Sequence, residues 1–474
     1  MRPTVDVLVV GAGSAGSVLA ERLSSDPDCR VCVVEAGPAP SDPRVAAQIT
    51  DGLRLPIGAA SGVVRHYRST LTEHPPRHTE IIRGSVVGGS GAVNGGYFCR
   101  GLPPDFDGWA IPGWSWREVL PHFLAIETDL DFATALHGSD GPILVRRVHE
   151  FDGCTASFVA AATAAGFGWL PDLNGSDIDA TLPAGVGAVP LNINGGTRLG
   201  PGGAYLQPAL QRPNLEVRAD TRVCRILFAG TRAVGVECLG GETLAADRIV
   251  LCSGAIGSAQ LLMLSGIGPA VDLERLGIAV LAGLPVGTAT VDHPEWVLPV
   301  DWTPTHDLPP LEAVLTTADG VEVRPYTAGF AAMVHGPEHD PAELPHLGVA
   351  LMRPRSRGRV RLASTDPTTA PIIEHRYDSV ASDIEALREG TALARELIRG
   401  TAEVGAPSWS TSQHLAGTAP MGSGPGAVLD PTCRVRGITG LWVVDGSIMP
   451  SITSRGPHAT IAMIGHRAAE FIVR

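Results

Sequence analysis

Two histidines near the end of the chain, His414 and His458, are the side chains best suited to moving a proton at neutral pH. His414 sits in a loop that also carries Gly417 and Gly422, and His458 follows 44 residues later, directly after Pro457. The apolar stretch behind it, Ala459 to Val473, reads as a helix, so His458 is expected at a helix N-terminus. There the dipole disfavours imidazolium and leaves a neutral ring able to act as a base. Either histidine alone is more often structural than catalytic, and only an element that brings the two together gives them a joint role.

A second constellation is built for phosphate. In VDVLVVGAGSAGSVLAERLS the apolar run from Val5 to Val10 predicts a strand covered on both faces, and Gly11, Gly13 and Gly16 follow it at once. Gly11 permits the tight turn, Gly13 lets a pyrophosphate reach the backbone, and Gly16 lets the next helix lie close to the sheet. Ala15, Val18, Leu19 and Leu23 form that helix's inner face, and Cys29 to Val34 is expected as the next strand. It ends in Glu35, nineteen residues beyond Gly16, where a carboxylate accepts hydrogen bonds from a ribose diol and repels a 2′-phosphate. These residues require an adenine dinucleotide and leave NAD and FAD equally open.

Other segments carry weaker chemical signals. RGSVVGGSGAVNGGYFCRG places seven glycines between Gly84 and Gly101, enough for backbone to lie flat against a planar or phosphorylated ligand, although a flexible loop explains the same composition. Cys29 and Cys32 make a C-x-x-C, but in the expected second strand they read as buried thiols, as do the other six cysteines. His335 and His339 are four apart, yet Pro337 between them disfavours a helix that would present both to a metal, and no metal site is expected.

The elements that must position these groups span a chain of 474 residues, long enough for two or three domains. Lys and Arg number 36 against 49 Asp and Glu, a net charge of −13 with no basic block, which argues against nucleic acid and against an anionic membrane surface. No apolar run approaches a membrane span, and the first strand begins too early for a signal peptide, so a cytoplasmic location is expected, with peripheral contact at the inner membrane face left open. The residues between Glu35 and His78 have no clear period. WREVLPHFLAIE reads as a helix over the first domain, Gly141–Val145 as a short strand of another unit, and Phe158 to Ala165 as an Ala-rich helix. Leu215 to Cys252 reads as a meander, after which Ser253, Gly254 and Ala255 open a second strand–glycine–helix junction. Ser382 and Glu385 have capping-box spacing ahead of a helix ending near Gly400.

GAGSAGSVLAERLS with Glu35, RGSVVGGSGAVNG, DFDGWAIPGWSW, GAIGSAQLLMLSGIGP and HLAGTAPMG…VVDGSIMP…PHATIAMIG together resemble the glucose–methanol–choline oxidoreductase family, in that family's order and over most of the chain. The resemblance implies an α/β fold. A Rossmann-like FAD-binding domain would be drawn from 1–140, 199–292 and 408–474, and a shortened α+β substrate domain from 141–198 and 293–407. It implies FAD held by Gly11, Gly13, Ser14, Ala15, Gly16, Glu35 and Ala36 on the ADP half. Arg83, Val87, Gly88, Gly91, Asn94, Gly95 and Gly96 would pass beside the flavin, Val223 would lie on the adenine side, Ser253 and Gly254 at the second junction, and Asp445 and Gly446 by the pyrophosphate or ribityl chain.

His414 matches the histidine of the family's H-x-x-G-T motif and His458 its second active-site position, so His414 is expected as base and His458 as the partner of the substrate hydroxyl and a neighbour of the cofactor, with the exchange of the two roles as the alternative. Members with a covalent flavin carry His before the asparagine that corresponds to Asn94. Here that residue is Val93, and FAD is expected to be non-covalent. Only about sixty residues separate Asp292-His293-Pro294 from Arg357–Val360, which implies a reduced wall and an open flavin, suited to a bulky or peptide-derived redox substrate. This short form is similar to an actinobacterial branch associated with mycofactocin, which implies oxidation of reduced mycofactocin with electrons passed to an acceptor of the respiratory chain. An oxidase producing peroxide, a hydroxynitrile-lyase-like enzyme with structural FAD, and a non-catalytic flavoprotein are the competing expectations.

Overall fold

Val5–Val10 is a buried strand, and its apolar run is explained by its place in a parallel stack between Val31–Val34 and Thr243–Leu251. The computed structural model describes residues 5–175, 184–336, 339–340 and 343–472. The seven-stranded sheet runs Leu215–Arg218, Val31–Val34, Val5–Val10, Thr243–Leu251, Arg232–Cys238, Val223–Ala229, with Leu441–Val443 added in parallel to the end of Thr243–Leu251. The meander expected over 215–252 is therefore split: its first strand pairs with Val31–Val34 and the rest forms an antiparallel extension. The second strand starts at Val31 rather than Cys29, because the Cys29 N–H is taken by the Asp26 carbonyl in a turn.

Two helices close one face of this sheet from opposite ends of the sequence. Ser14–Ser24 lies against His458–Ile472, and at their crossing a Cβ built on Gly465 would stand 2.5 Å from the Ala15 carbonyl oxygen. Val473, expected in the closing helix, lies outside the described residues. Trp116–Ile126 begins with a capping box between Ser115 and Glu118, and the indole N–H groups of Trp109 and Trp114 donate to the carbonyls of Ser451 and Pro431, which fastens this segment to the C-terminal loop.

A second, antiparallel sheet of six strands faces the first unit: Ser408–Thr411, Pro294–Pro299, His346–Leu351, Val321–Pro325, Ala313–Thr316 and Gly185–Ala188. Helices Gly153–Ala164 and Ala381–Leu397 share a separate apolar cluster with it. Four of its strands come from the short stretch after His293, so the expected loss of wall is corrected: that stretch retains strands of the sheet. Ser382 does not cap the later helix, which starts at Ala381 after Val380, and Asp383 instead accepts the backbone N–H groups of Arg355 and Ser356. The segment without period contains helix Pro43–Thr50 and the hairpin Val64–Glu73/Pro76–Gly84, which Ile372–Glu374 joins in parallel. Among the described residues no helix is long and apolar enough to cross a membrane.

Candidate active site

The first glycine turn is shaped as a cradle. Gly11 has φ of +106°, and a Cβ there would lie 2.5 Å from the Cys252 carbonyl oxygen. Gly13 is the N-cap of Ser14–Ser24 with no side-chain cap, so the first N–H groups of that helix are left for a ligand. Gly16 tolerates no side chain, since its Cβ would collide with the Gly11 carbonyl. Glu35 accepts the N–H groups of Ala12 at 2.9 Å and Gly37 at 3.0 Å, and Ala36 beside it is exposed. Burial pushes the Glu35 carboxyl up to about 7 against those two hydrogen bonds.

The loop 84–96 folds onto this turn. The Gly88 N–H donates to the Ala12 carbonyl, Val87 is anchored to the Pro38 carbonyl, and a Cβ on Gly89 would lie 2.6 Å from Gly13 Cα. Gly91 faces Ser14 Oγ, Asn94 donates to His458 Nδ1 at 3.0 Å, and the buried Arg198 gathers the carbonyls of Ala92, Asn94, Arg54 and Asp51. Gly95 and Gly96 continue the loop, Gly96 with φ of +77°. At the second junction Ser253 Oγ donates to the Val10 carbonyl, Gly254 has open space beside it, and its N–H donates to Asp445. Asp445 also accepts Ser258 Oγ and the Ser447 N–H, so its carboxylate ties the ends of two strands together. Gly446 packs toward Ile461, and Val223 begins its strand almost fully buried. An open helix N-terminus, side-chain-free glycines and a buried ribose-accepting carboxylate fit the ADP part of a dinucleotide.

The two C-terminal histidines take different partners. His458 starts the closing helix, packs edge-on to Phe98, and uses Nδ1 to accept from Asn94. The amide orientation is set because Asn94 Oδ1 accepts the Gly96 N–H, so His458 carries its proton on Nε2. That Nε2 is buried, has no hydrogen-bond partner among the described residues, and is the atom a Cβ on Gly91 would meet at 2.8 Å. Burial, reinforced by Arg198, pushes the ring down to about 4. His458 thus offers an N–H toward the glycine loop and Ser14. The residue of its segment that meets His414 is Gly456: a Cβ there would lie 3.4 Å from His414 Cε1 and 3.0 Å from the Tyr97 ring.

His414 pairs with His293, Nδ1 to Nδ1 at 2.8 Å, and burial and His293 hold it well below the usual imidazole range. Its backbone N–H donates to Asp292, and the following residues reach the cradle through Gly417 N–H to the Gly446 carbonyl and Thr418 Oγ1 to the Ala255 carbonyl. Arg83 bonds Gln413, the neighbour of His414. Below lies a buried ionic network: Arg324 binds Glu322 and Glu295, Arg455 binds Glu322 at 2.8 Å, and Tyr97 donates to Glu322. Spacing pointed to His414, to the glycines and to Glu35. Tyr97, Gly456, Arg198 and the network have no motif of their own, and His293 was visible only as part of D-H-P.

The remaining candidates are quiet. The Cys32 thiol is pushed up to about 12 by burial, which removes the low-pKa thiolate that C-x-x-C redox chemistry needs. The helix before His339 ends at His335, and Pro337 lies outside the described residues.

A parallel dinucleotide-binding sheet walled by an antiparallel sheet, with a histidine loop joining them, defines the class of two-part redox folds built around a resident dinucleotide. Family models described as GMC oxidoreductase match residues 5–295 and 354–465, and the chain belongs to that oxidoreductase family. It is 42% identical, over 99% of its length and 98% of the relative's, to an uncharacterized GMC-type oxidoreductase in the thcA 5′ region of Rhodococcus erythropolis. Mitochondrial choline dehydrogenase of Homo sapiens is 33% identical over 99% of this chain and 90% of that one. Pyridoxine 4-oxidase from Mesorbium loti has a similar structure, with a TM-score of 0.88, 29% identity, and coverage of 98% of this chain and 99% of that one.

Proposed function

We propose that the chain is an FAD-dependent dehydrogenase of alcohols, with His414 as the proton acceptor. The observation that carries this reading is His414 itself: a neutral imidazole on a loop bonded both to the dinucleotide cradle and to the wall strand after Asp292. FAD, when bound, supplies the two-electron acceptor for the carbinol hydride at N5. Gly11, Gly13, Gly16 and Glu35 would hold its ADP half, the 88–96 loop would border it, and the Nε2–H of His458, without a partner among the described residues, would donate to it. His414 takes the hydroxyl proton while Gly456, lacking a side chain, leaves room for the substrate. The likeness to proteins named for the oxidation of choline and of pyridoxine supports a small organic molecule as donor.

Within that class the about sixty residues between Asp292-His293-Pro294 and Arg357–Val360, a short span although they keep four strands of the wall, support a bulky donor, and we propose reduced mycofactocin as that donor, with a respiratory-chain acceptor. The oxidase reading has a specific observation in its favour, the structural likeness to an oxidase. Anaerobic mixing of the flavoprotein with a panel of alcohols and with reduced mycofactocin, followed by flavin absorbance, tests the proposal. Bleaching by a donor and its loss in His414→Ala are expected, and a flavin that no donor bleaches overturns it. Turnover with an artificial acceptor well above turnover with oxygen is expected; rapid peroxide formation assigns the oxidase.

A further inference from the structure

His293 is fully buried and makes two contacts that together determine which nitrogen of His414 is basic. Its Nε2 lies 3.0 Å from the Thr453 carbonyl oxygen, which can only accept, so Nε2 carries the proton. Burial pushes His293 down to about 4, so at neutral pH the ring holds one proton only and its Nδ1 is a bare acceptor. Among the described residues the hydrogen-bond partner of that Nδ1 is Nδ1 of His414, at 2.8 Å with the rings perpendicular, and it must donate. His414 is left with its lone pair on Nε2. The charged and titratable groups around the pair are Asp292, Arg324, Glu322 and Arg83, and among them Asp292 holds both backbones, accepting the N–H of His293 and of His414 at 2.8 Å each. Its other oxygen accepts Tyr377 and Thr411 hydroxyls, so the carboxylate does not compete for either ring.

We propose that His293 is a positioning residue that locks His414 in the Nδ1–H tautomer, so that Nε2 is the atom that receives the substrate's hydroxyl proton. This rests on the reading of His414 as the base. The relay runs from a backbone carbonyl through two imidazoles, and it does for His414 what a carboxylate does for the histidine of a catalytic triad: it selects the tautomer through the nitrogen that does not react. A neutral partner does so without placing a second charge beside the flavin site. When Nε2 gains the proton, the existing Nδ1–H bond to His293 is kept, so no rearrangement accompanies the transfer.

The test uses the holoenzyme and two variants. His293→Leu removes the acceptor, whereas His293→Asn places an amide oxygen where the ring's Nδ1 stood. Nitrogen NMR of histidine-labelled resting enzyme, with the His414 signals assigned by His414→Ala, is expected to show a bare Nε2 in the wild type and in His293→Asn, and a mixture of tautomers in His293→Leu. Anaerobic flavin bleaching, with benzyl alcohol as probe, is expected to slow about tenfold or more in His293→Leu with the half-saturating alcohol concentration little changed, and to recover in His293→Asn. A wild-type His414 protonated on Nε2, or a His293→Leu enzyme with unaltered tautomer and rate, overturns the proposal. If no alcohol bleaches the wild type, the reading of His414 as base fails while the NMR still decides the tautomer. Should His293→Leu not fold, the wild-type and His293→Asn spectra settle the matter.

Discussion

Burial pushes the Glu35 carboxyl up to about 7, and a ribose diol needs it ionised. For an acid raised above its unfolded value of 4.5, folding favours the proton, so this group adds stability to the apoprotein as pH falls from about 7 toward 4.5. FAD binding has the opposite dependence. Below about pH 7 the dissociation constant of the apoprotein for FAD is expected to rise, approaching about tenfold per pH unit, and Glu35→Gln should bind weakly with a flat profile. Titrating apoprotein with FAD by flavin fluorescence checks both. A second expectation concerns charge: among the described residues the carboxylates near His414 are engaged, Glu295 and Glu322 by Arg324 and Asp292 by the His293 and His414 N–H groups and the Tyr377 and Thr411 hydroxyls, which leaves none for a quaternary ammonium. Bleaching by choline should be at least about a hundredfold less efficient than by its neutral isostere with carbon in place of nitrogen, the scale of an unpaired buried charge. At this scale the sequence exposed those residues whose type announces chemistry. His414 could be singled out, but its tie to His293 spans 121 residues and depends on which ring nitrogens meet. Gly456 gave no signal because its contribution is a missing side chain.

Among elements, short strands Glu127–Asp129 and Ile143–Val145 form a parallel pair beside a knot of charge. His137 sits between Asp129 and Asp172, Arg147 binds the same two carboxylates, and Arg100 pairs with Glu127. Glu127, Asp129 and His137 are close enough to share a metal ion, but these partners already engage them. Burial alone would push His137 down; the carboxylates of Asp129, Asp172 and Glu127, the first and last in ion-pair contact with Nδ1 and Asp172 hydrogen-bonded to Nε2, outweigh it and raise the ring to about 10. A histidine raised in the folded state contributes stability fully below its unfolded value of 6.5 and loses it as pH rises through about 10. Melting temperature is therefore expected to fall across that window, and His137→Gln should melt lower at neutral pH with a smaller further fall. Element types were legible wherever burial is one-sided or complete: Val5–Val10 and Ser14–Ser24 follow their periods. The hairpin 64–84 was not, because both faces of Val64–Glu73 are partly covered and charged residues interrupt its alternation.

Taken whole, the molecule should release its flavin on acid precipitation, since Val93 offers no nucleophile at the position before Asn94. Flavin retained in the pellet would mean attachment through another residue. The domain division remained blurred in the sequence because sheets ignore chain order: Ser408–Thr411, read as part of the dinucleotide unit, pairs in the wall, and Ile372–Glu374, read as part of the wall, pairs with the early hairpin. The closing helix bears on how this protein is made. Its Gly465 lets it settle on Ala15, in the helix that opens at the first glycine turn, yet it is translated long after that helix. Until that helix is made, the apolar inner face of Ser14–Ser24 lacks the partner that packs on it. A nascent chain halted before His458 is thus a client for chaperones, whatever the affinity of the finished protein for its flavin.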